Sequence, residues 1–364
     1  MPMKLLLYSD LHISKTSSIL PLDFLSSKFS YRQNMIIETG KYLAQIADEY
    51  KVDAIINLGD TFDAHTISSY DITTASEFFK CFRYLRKPHF VLVGNHEMIN
   101  SDFNAIEILS NINDITVISK PSTISTNYIK SLYAQFTNDY VEEGKQLAFL
   151  PYCNYHDVLE FPKGDFLFSH QDIQGSSIRG STVMTEGLDD AKLTSYYKLI
   201  FNGHIHKPSV RGSIITVGSI TTHSFSDDDT SVPQCYVFDT DTLNLTVLRP
   251  TICPLFRKLD VADKDDLCKQ LDGLDKSYKY IISCSCSYDM KEDIKSFLET
   301  YPDVLNFKLT IKVQDEQEAT DDSLSIDVQS NIDIKKSFIE FLDTVDELKF
   351  PKDLYRNIVL SLEV

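Results

Sequence analysis

The amino-acid sequence predicts an α/β fold: a four-layer α/β/β/α sandwich over residues 1–250, then a small α+β domain over 251–318 and a linker with C-terminal helices over 319–364. Three observations carry this. Residues 1–250 alternate short apolar runs with amphipathic stretches, the pattern of strands joined by crossover helices. From Ile115 the texture changes to Ser, Thr, Tyr and β-branched residues, which reads as antiparallel hairpins. A sheet that begins parallel and finishes antiparallel implies two sheets packed face to face between helices. Finally, five of the apolar runs end on Asp, Asn or His, where a chain turning at a sheet edge brings side chains to one rim.

The first run, Lys4–Ser9, meets Asp10-Leu11-His12. Asn34–Tyr50 follows as an amphipathic helix, with Ile36, Leu43, Ile46, Ala47 and Tyr50 at helical spacing. Ala54–Leu58 runs into Gly59-Asp60-Thr61-Phe62-Asp63. Thr74–Leu85 is a second helix, carrying Phe78, Phe79 and Phe82 and stopped by Lys87-Pro88. Phe90–Val93 meets Gly94-Asn95-His96-Glu97, and Asn104–Ser110 is a short third helix. Phe166–Ser169 meets His170, and Leu199–Asn202 meets Gly203-His204-Ile205-His206. Val210–Gly218 and Gln234–Phe238, turning through Asp239–Asp241 into Leu243–Leu248, continue as hairpin strands. If all five motif-bearing strands share one sheet and one direction, their terminal residues converge.

Pro250 to Pro254 marks a boundary. Beyond it the reading is strand Phe256–Val261, helix Lys264–Leu271, strand Lys279–Ser285, helix Met290–Tyr301 and strand Asn306–Val313. Gln314–Asp322 is acidic and aperiodic, and reads as a linker. Ile334–Val345 and Leu354–Leu362 are two short helices broken around Pro351, hydrophobic enough to cover the α+β domain or to dock on a partner.

Composition narrows the function classes. Hydrophobic content of 43% with 24% charged residues is that of a globular protein. No apolar run approaches the roughly 20 residues that span a bilayer. Met1-Pro2-Met3-Lys4 runs straight into the first strand, which predicts no signal peptide and a cytoplasmic location. Seven cysteines without a CxxC pair fit reduced thiols, with Cys284 and Cys286 packing along a strand. The net charge of −18 argues against a stand-alone duplex binder, since neutralising phosphates supplies most such affinity. About half of the excess acid lies beyond residue 250. The balance favours a small anionic substrate, or a nuclease that borrows its DNA grip from a basic partner.

The chemistry follows from the residue types. Asp10 and His12 alternate by two, so both can point to one side of a strand end. Asp60 has two oxygens and a charge to share between cations, Asn95 a neutral oxygen, and His170, His204 and His206 imidazole nitrogens. This N/O set without thiolate suits Mn²⁺, Fe or Zn²⁺ better than Ca²⁺. Two such ions about 3.5–4 Å apart can clamp a phosphate and acidify a water for attack. The glycines before Asp60, Asn95 and His204 are read as leaving backbone room for a substrate.

DxH, GDxxD, GNHE, a lone His and GHxH, in that order over residues 10–206, resemble the calcineurin-like metallophosphoesterase superfamily. The resemblance implies two divalent metals, one held by Asp10, His12, Asp60 and His206 and the other by Asp60, Asn95, His170 and His204. His96 would be the general acid at the leaving oxygen. Within the superfamily the chain is most similar to the SbcD-type DNA nuclease subunits, including the bacteriophage recombination endonuclease subunit. That likeness rests on Phe166–Gln171, on Val217-Gly218-Ser219-Ile220 with Ser224-Phe225-Ser226-Asp227, and on the trailing α+β domain and helices. It implies a Mn²⁺-dependent 3′→5′ exonuclease and single-strand endonuclease working with an SbcC-type ATPase on DNA ends. It also implies a homodimer, in a host cytoplasm if phage-encoded. A metallophosphatase or small-nucleotide phosphodiesterase of the same superfamily is the alternative.

Some positions carry two readings. Asp63 stands where archaeal and eukaryotic members tend to have a second catalytic His, and is taken as catalytic with His96; His65 lies close enough to act instead. His65 and His223 otherwise read as surface-loop polarity, and Asp227-Asp228-Asp229 as a solvated turn. Glu97 reads as orienting a His or the backbone rather than as a ligand. Lys28, Tyr31 and Arg32 lie in a segment without periodicity, either touching substrate backbone or forming a plain surface loop. Tyr196, Tyr197 and Lys198 read as packing before a strand.

Overall fold

The computed structural model describes residues 3–14, 29–100, 103–112, 114–132, 144–154, 160–179, 182–225 and 231–311. Along these the strands are β1 Lys4–Tyr8, β2 Ala54–Asn57, β3 His89–Leu92, β4 Ile115–Ile118, β5 Ser122–Ser125, β6 Gln146–Leu150, β7 Phe166–Ser169, β8 Ser177–Arg179, β9 Thr182–Val183, β10 Leu199–Asn202, β11 Ser209–Arg211, β12 Ile214–Thr216, β13 Cys235–Asp239, β14 Leu245–Leu248, β15 Leu255–Asp260, β16 Tyr280–Cys286 and β17 Val304–Ile311. The α-helices are α1 Tyr31–Glu49, α2 Ser69–Lys80, α3 Thr126–Ser131, α4 Asp190–Tyr196, α5 Lys264–Asp272 and α6 Lys291–Thr300. Chain contacts group residues 1–313 in one compact unit and leave 314–364 outside it. The latter, with the expected linker and terminal helices, lies outside the described residues, as do Lys28 and Asp227–Asp229.

Two six-stranded sheets, ordered β14-β13-β1-β2-β3-β4 and β11-β12-β10-β7-β6-β5, form the sandwich. Leu5, Leu7, Ile56 and Phe90 from the first sheet meet Phe149, Phe168 and Phe201 from the second in one buried cluster. The other face of the first sheet packs on α1 and α2 through Leu6, Tyr8, Ile36, Leu43 and Phe78. The other face of the second packs on α4 through Leu167, Ile200 and Leu193. This is the expected α/β/β/α layering, and it corrects one detail. The five motif-bearing strands do not share a sheet: β1, β2 and β3 run parallel in one, β7 and β10 parallel in the other. Face-to-face packing nonetheless brings both sets of C-terminal ends to one edge of the sandwich.

Ile115–Ile118 is a second correction. It pairs parallel with β3 rather than opening a hairpin, because the 3₁₀ turn Ala105–Asn111 carries the chain back across the sheet. Antiparallel pairing begins with β5 and β6. Helix α1 starts three residues before its apolar spacing becomes visible. Ser30 caps it and Gln33 answers in a capping box, which places Tyr31 and Arg32 in the first turn instead of a loop. Ser68 and Asp71 do the same for α2, which ends at Lys80; Arg83–Leu85 is a separate 3₁₀ turn. Tyr197 is buried with its hydroxyl donating to Pro162 O at 2.6 Å, while Tyr196 is exposed.

Strands β15, β16 and β17 form a separate, wholly parallel sheet with α5 and α6 against it. Their core includes Leu259, Leu267, Tyr280, Cys284, Cys286, Ile294 and Leu298. Phe256 and Ile281 pack instead against Tyr31, Phe225 and Leu305, and Thr222 Oγ1 donates to Pro254 O at 2.6 Å. The α+β unit therefore rests on the segment 221–225 and on the start of α1.

One core residue gives the fold a pH dependence remote from the site. His89 opens β3, is buried among Tyr8, Phe79 and Phe82, and shares a 2.8 Å hydrogen bond with the Tyr8 hydroxyl. Burial lowers its pKa to about 3. An unfolded histidine titrates near 6.5, so the unfolded chain binds the extra proton between those values and stability is lost as pH falls from about 6.5 toward 3. His89→Gln, which keeps a hydrogen-bonding group but does not titrate, is expected to remove that part of the acid sensitivity, up to about 1.4 kcal/mol per pH unit. Urea unfolding at pH 7 and pH 4.5 measures it; an unchanged pH slope would contradict the assignment.

Candidate metal centre

Four of the residues at this edge hold unusual backbone conformations. Asp10 (φ 54°), His12 (φ 47°), Asp60 (φ 50°) and His204 (φ 72°) are all left-handed. Such conformations are disfavoured for residues with a Cβ and gather where function over-determines the backbone. Here they let a strand end turn within two residues and aim consecutive side chains at one point. The loops are tied together: Asp10 N–H donates to Gly59 O at 3.1 Å and His12 N–H to Asp60 O at 3.0 Å.

The seven expected ligands do come together. Asp60 Oδ2 lies 3.7 Å from His12 Nε2 and 3.2 Å from His170 Nε2, between two groups of side chains. On one side His12 Nε2 is 3.2 Å from His206 Nε2, and each is 3.9 Å from Asp10 Oδ1. On the other, Asn95 Oδ1 is 3.1 Å from His170 Nε2 and 2.9 Å from His204 Nδ1. Two ligands at about 2.1 Å from one ion, at right angles or tetrahedral, would stand about 3.0–3.4 Å apart. The separations of His170 from Asp60 and Asn95 and of His12 from His206 fall in that range, that of His204 from Asn95 lies just below it, and those from Asp10 and from Asp60 to His12 are longer. Both carboxylate oxygens of Asp10 are buried without a hydrogen-bond donor, a costly arrangement for a carboxylate unless a cation supplies the missing partner. The residues therefore fit two divalent ions, with Asp60 bridging.

Protonation states point the same way. Burial works to raise the pKa of Asp60, but His170, His12 and His96 more than offset it and hold the carboxyl well below its usual range. Burial lowers His12, against the pull of Asp63, Asp60 and Asp10, leaving a neutral imidazole. Burial would also lower His170, but the Asp60 carboxylate, with Asp10 and Glu97, raises it to about 9. The protonated ring then donates from Nδ1 to Leu58 O at 2.7 Å and from Nε2 toward Asp60 and Asn95. A metal can take the Nε2 position only by expelling that proton. Metal affinity at this position is thus expected to fall about tenfold for each pH unit below 9, with about one proton released per ion bound. Calorimetry in buffers of different ionisation heat measures the release; an affinity unchanged between pH 6 and pH 8 would rule it out.

Around these residues stands a set of supports that sequence reasoning found only in part. Glu97 is fully buried and accepts from Phe62 N–H at 2.9 Å and Gly94 N–H at 2.7 Å, so it clasps the GDxxD and GNHE loops together. Burial and the charge of Asp60 push its pKa up. Asp172 was missed: its Oδ1 lies 2.9 Å from His204 Nε2, which fixes the proton there and leaves Nδ1 for a metal. Asp63 lies 3.1 Å from His12 Nδ1 through Oδ1, while its carbonyl accepts from His96 Nδ1 at 2.7 Å. Its contacts make it a positioning residue for the two histidines rather than a catalytic one. His65 is exposed on the loop beyond.

His223 and Arg32 overturn their surface readings. Arg32 is buried and donates to Thr222 O (2.7 Å), His12 O (3.1 Å), Leu11 O (3.3 Å) and His223 Nδ1 (3.0 Å). A guanidinium only donates, so His223 Nδ1 must accept and its proton sits on Nε2, 2.9 Å from Ser219 Oγ. The ring lies edge-on to His12 at 4.4 Å and tilted against His206 at 4.8 Å. With both nitrogens engaged, His223 backs two ligands instead of extending the set. The glycines are a further correction. A Cβ on Gly59 would lie 2.4 Å from His170 Nδ1, one on Gly94 2.1 Å from Asp60 Oδ1, and one on Gly203 2.2 Å from Ser9 Oγ. The room they leave is filled by the ligands and their neighbours, not by substrate.

Fold and ligand set together define a metal-dependent phosphoester hydrolase. The chain belongs to the calcineurin-like phosphoesterase family, which matches over residues 3–208. It is 26% identical over 254 residues to "Putative phosphoesterase 078R" of Invertebrate iridescent virus 3, spanning 65% of this chain and 68% of that one. Among solved structures it is similar to Yfce, a phosphoesterase from E. coli (11% identity, 68% of this chain and 99% of that one, TM-score 0.32). It is also similar to the nuclease MPE of Pseudomonas putida (16% identity, 64% and 84%, TM-score 0.30). Among the described residues no helix is long and apolar enough to cross a membrane.

Proposed function

We propose that the protein is a two-metal DNA nuclease, a double-strand exonuclease and single-strand endonuclease that acts with an SbcC-type ATPase in DNA end processing. The observation that carries the phosphodiesterase part is the bridging position of Asp60 between two complete ligand groups, with His96 beside them and its amide donating to Asp60 Oδ1 at 3.0 Å. When bound, divalent ions at such a pair polarise the phosphoryl oxygens and lower the pKa of a water. Asp10, His12, Asp60 and His206 would hold one ion, and Asp60, Asn95, His170 and His204 the other. His96, its Nδ1–H fixed on the Asp63 carbonyl, would as the imidazolium donate its second ring proton from Nε2 to the departing ribose oxygen and be left as the neutral ring. Asp63 and Asp172 keep His12 and His204 in the tautomers that leave the facing nitrogen unprotonated.

DNA as substrate is supported by the Gly218–Asp227 likeness and by the α+β unit resting on residues 221–225, beside His223 and His206. The −18 net charge favours the second reading, a metallophosphatase or small-nucleotide phosphodiesterase. Mn²⁺, a homodimer and the ATPase partner belong to the nuclease proposal. Purified protein with Mn²⁺ and end-labelled DNA, with and without its cognate ATPase, tests it. Cleavage in either condition is expected; good p-nitrophenyl phosphate turnover with no DNA cleavage in either would reject the nuclease in favour of the phosphatase.

A further inference from the structure

Next to the metal centre lies a cavity of about 420 Å³ that the reaction just described does not use. Val93 and Met98, on either side of the GNHE loop, form part of its wall with Lys120, Pro121 and Tyr152, and polar residues including Asn100, Asn104 and Asn154 line the rest. Its volume falls in the range of ligand cavities, about 300–1,000 Å³. Tyr152 joins it to the site: the ring lies 6.0 Å from that of His204 and 6.4 Å from that of His170, and its N–H donates to Val93 O at 2.8 Å. Val93 is itself two residues from the ligand Asn95. Asn104 is held in place by a backbone bridge to Met98, yet its side-chain Oδ1 is buried with no hydrogen-bond partner in the protein. Asn100, Asn104 and Asn154 set amide side chains among the lining residues.

We propose that this cavity receives the nucleobase of a nucleotide whose phosphate occupies the metal centre. The inference rests on the phosphodiesterase reading and names the substrate feature that reading left open. A base matches the lining in three ways. Tyr152 gives it an aromatic face, Val93, Met98 and Pro121 give apolar walls, and the amides of Asn100, Asn104 and Asn154 suit the polar edge of a base. Lys120, an exposed residue of the lining, adds a cation that suits the anionic backbone. An aliphatic chain or a simple aryl group would fill the same volume but make no use of these amides. The base could belong to a strand of DNA or to a small nucleotide ester, and the chemistry of recognition is the same.

Two substrates with one leaving group separate the cavity from the chemistry. The full chain with Mn²⁺ is assayed on thymidine 5′-(p-nitrophenyl phosphate) and on bis(p-nitrophenyl) phosphate. Tyr152→Leu and Asn104→Leu are expected to lower the ratio of kcat/KM between them about tenfold, mainly through KM of the thymidine ester. The same loss of preference on a short oligonucleotide alone, without the free ester, would assign the cavity to a base within a strand. Independently of turnover, saturation transfer from the metal-free wild-type protein to deoxyadenosine is expected, and its loss in Tyr152→Leu. A ratio within twofold of wild type on the ester and the oligonucleotide in both variants, or no transfer to deoxyadenosine from the wild type, would overturn the proposal. Failure of every diester to react, with deoxyadenosine still bound, would instead strike the phosphodiesterase reading and leave the cavity assignment standing.

Discussion

His96→Asn is expected to reduce phosphodiester hydrolysis by about 10²–10⁴-fold while metal uptake stays close to wild type. The reasoning is geometric. His96 lies outside the seven proposed ligands; it touches Asp60 through its backbone, whose N–H reaches Oδ1 at 3.0 Å, and that contact survives any side-chain change. Its ring is fixed by the Asp63 carbonyl at 2.7 Å and packs edge-on against His12 at 4.6 Å. An asparagine can still donate to the carbonyl but cannot deliver a proton to a leaving alkoxide. Loss of a general acid of that kind is worth roughly 3–5 kcal/mol of barrier. Steady-state rates with Mn²⁺, paired with calorimetric titration of Mn²⁺, give the two halves of the result. Unchanged cleavage with metal still bound would remove His96 from the chemistry.

The second large effect is expected at a residue outside the ligand set. Arg32→Met should destabilise the protein by about 3–5 kcal/mol, because it leaves buried acceptors unpaired in a place water reaches poorly. Those acceptors are the carbonyls of Leu11, His12 and Thr222, with His223 Nδ1. They belong to two parts of the chain remote from Arg32, so the guanidinium pins the DxH loop to the segment 221–223 and both to α1. Arg32→Lys keeps the charge but cannot fork to four acceptors, and should recover only part of the loss. Thermal unfolding of the two variants measures this, and Mn²⁺ affinity should weaken in parallel because His12 loses its backing. A melting temperature for Arg32→Met equal to wild type would show that the network carries no load.

How far the sequence could be read is plain from these two residues. His96 stands inside a contiguous motif, where identity, order and the preceding strand are all visible in four letters. Arg32 does not: its partners lie 20 and about 190 positions away, and its own helix begins before the apolar spacing that announces it. Asp172 and His223 were illegible for the same reason, since a side chain that supports another is identified only by the neighbour it meets. Glu97 was read correctly because a carboxylate beside a ligand, on a turn, has few other tasks. The layering of the fold was legible from alternating runs, but the assignment of strands to sheets was not. Hydrophobic runs report burial and say nothing of which neighbour shares the hydrogen bonds, so one rim was expected where two meet.

That division has a consequence for the centre itself. The group around Asn95 takes Asp60 and Asn95 from loops of the first sheet, and His170 and His204 from loops of the second. The group around Asp10 likewise draws His206 across the same boundary. Neither half of the sandwich carries a whole site. The spacing of the ligands is therefore set by the seam between the sheets, where Phe238 of the first meets Phe201 (4.8 Å) and Phe166 (5.1 Å) of the second, and Phe149 leans on Phe90 at 5.6 Å. A shift of one sheet over the other by a fraction of an ångström would change every pair that crosses the seam, among them Asp60–His170, His12–His206 and Asn95–His204, at once. The interior phenylalanines thus act as the gauge of the metal centre, though none of them touches it.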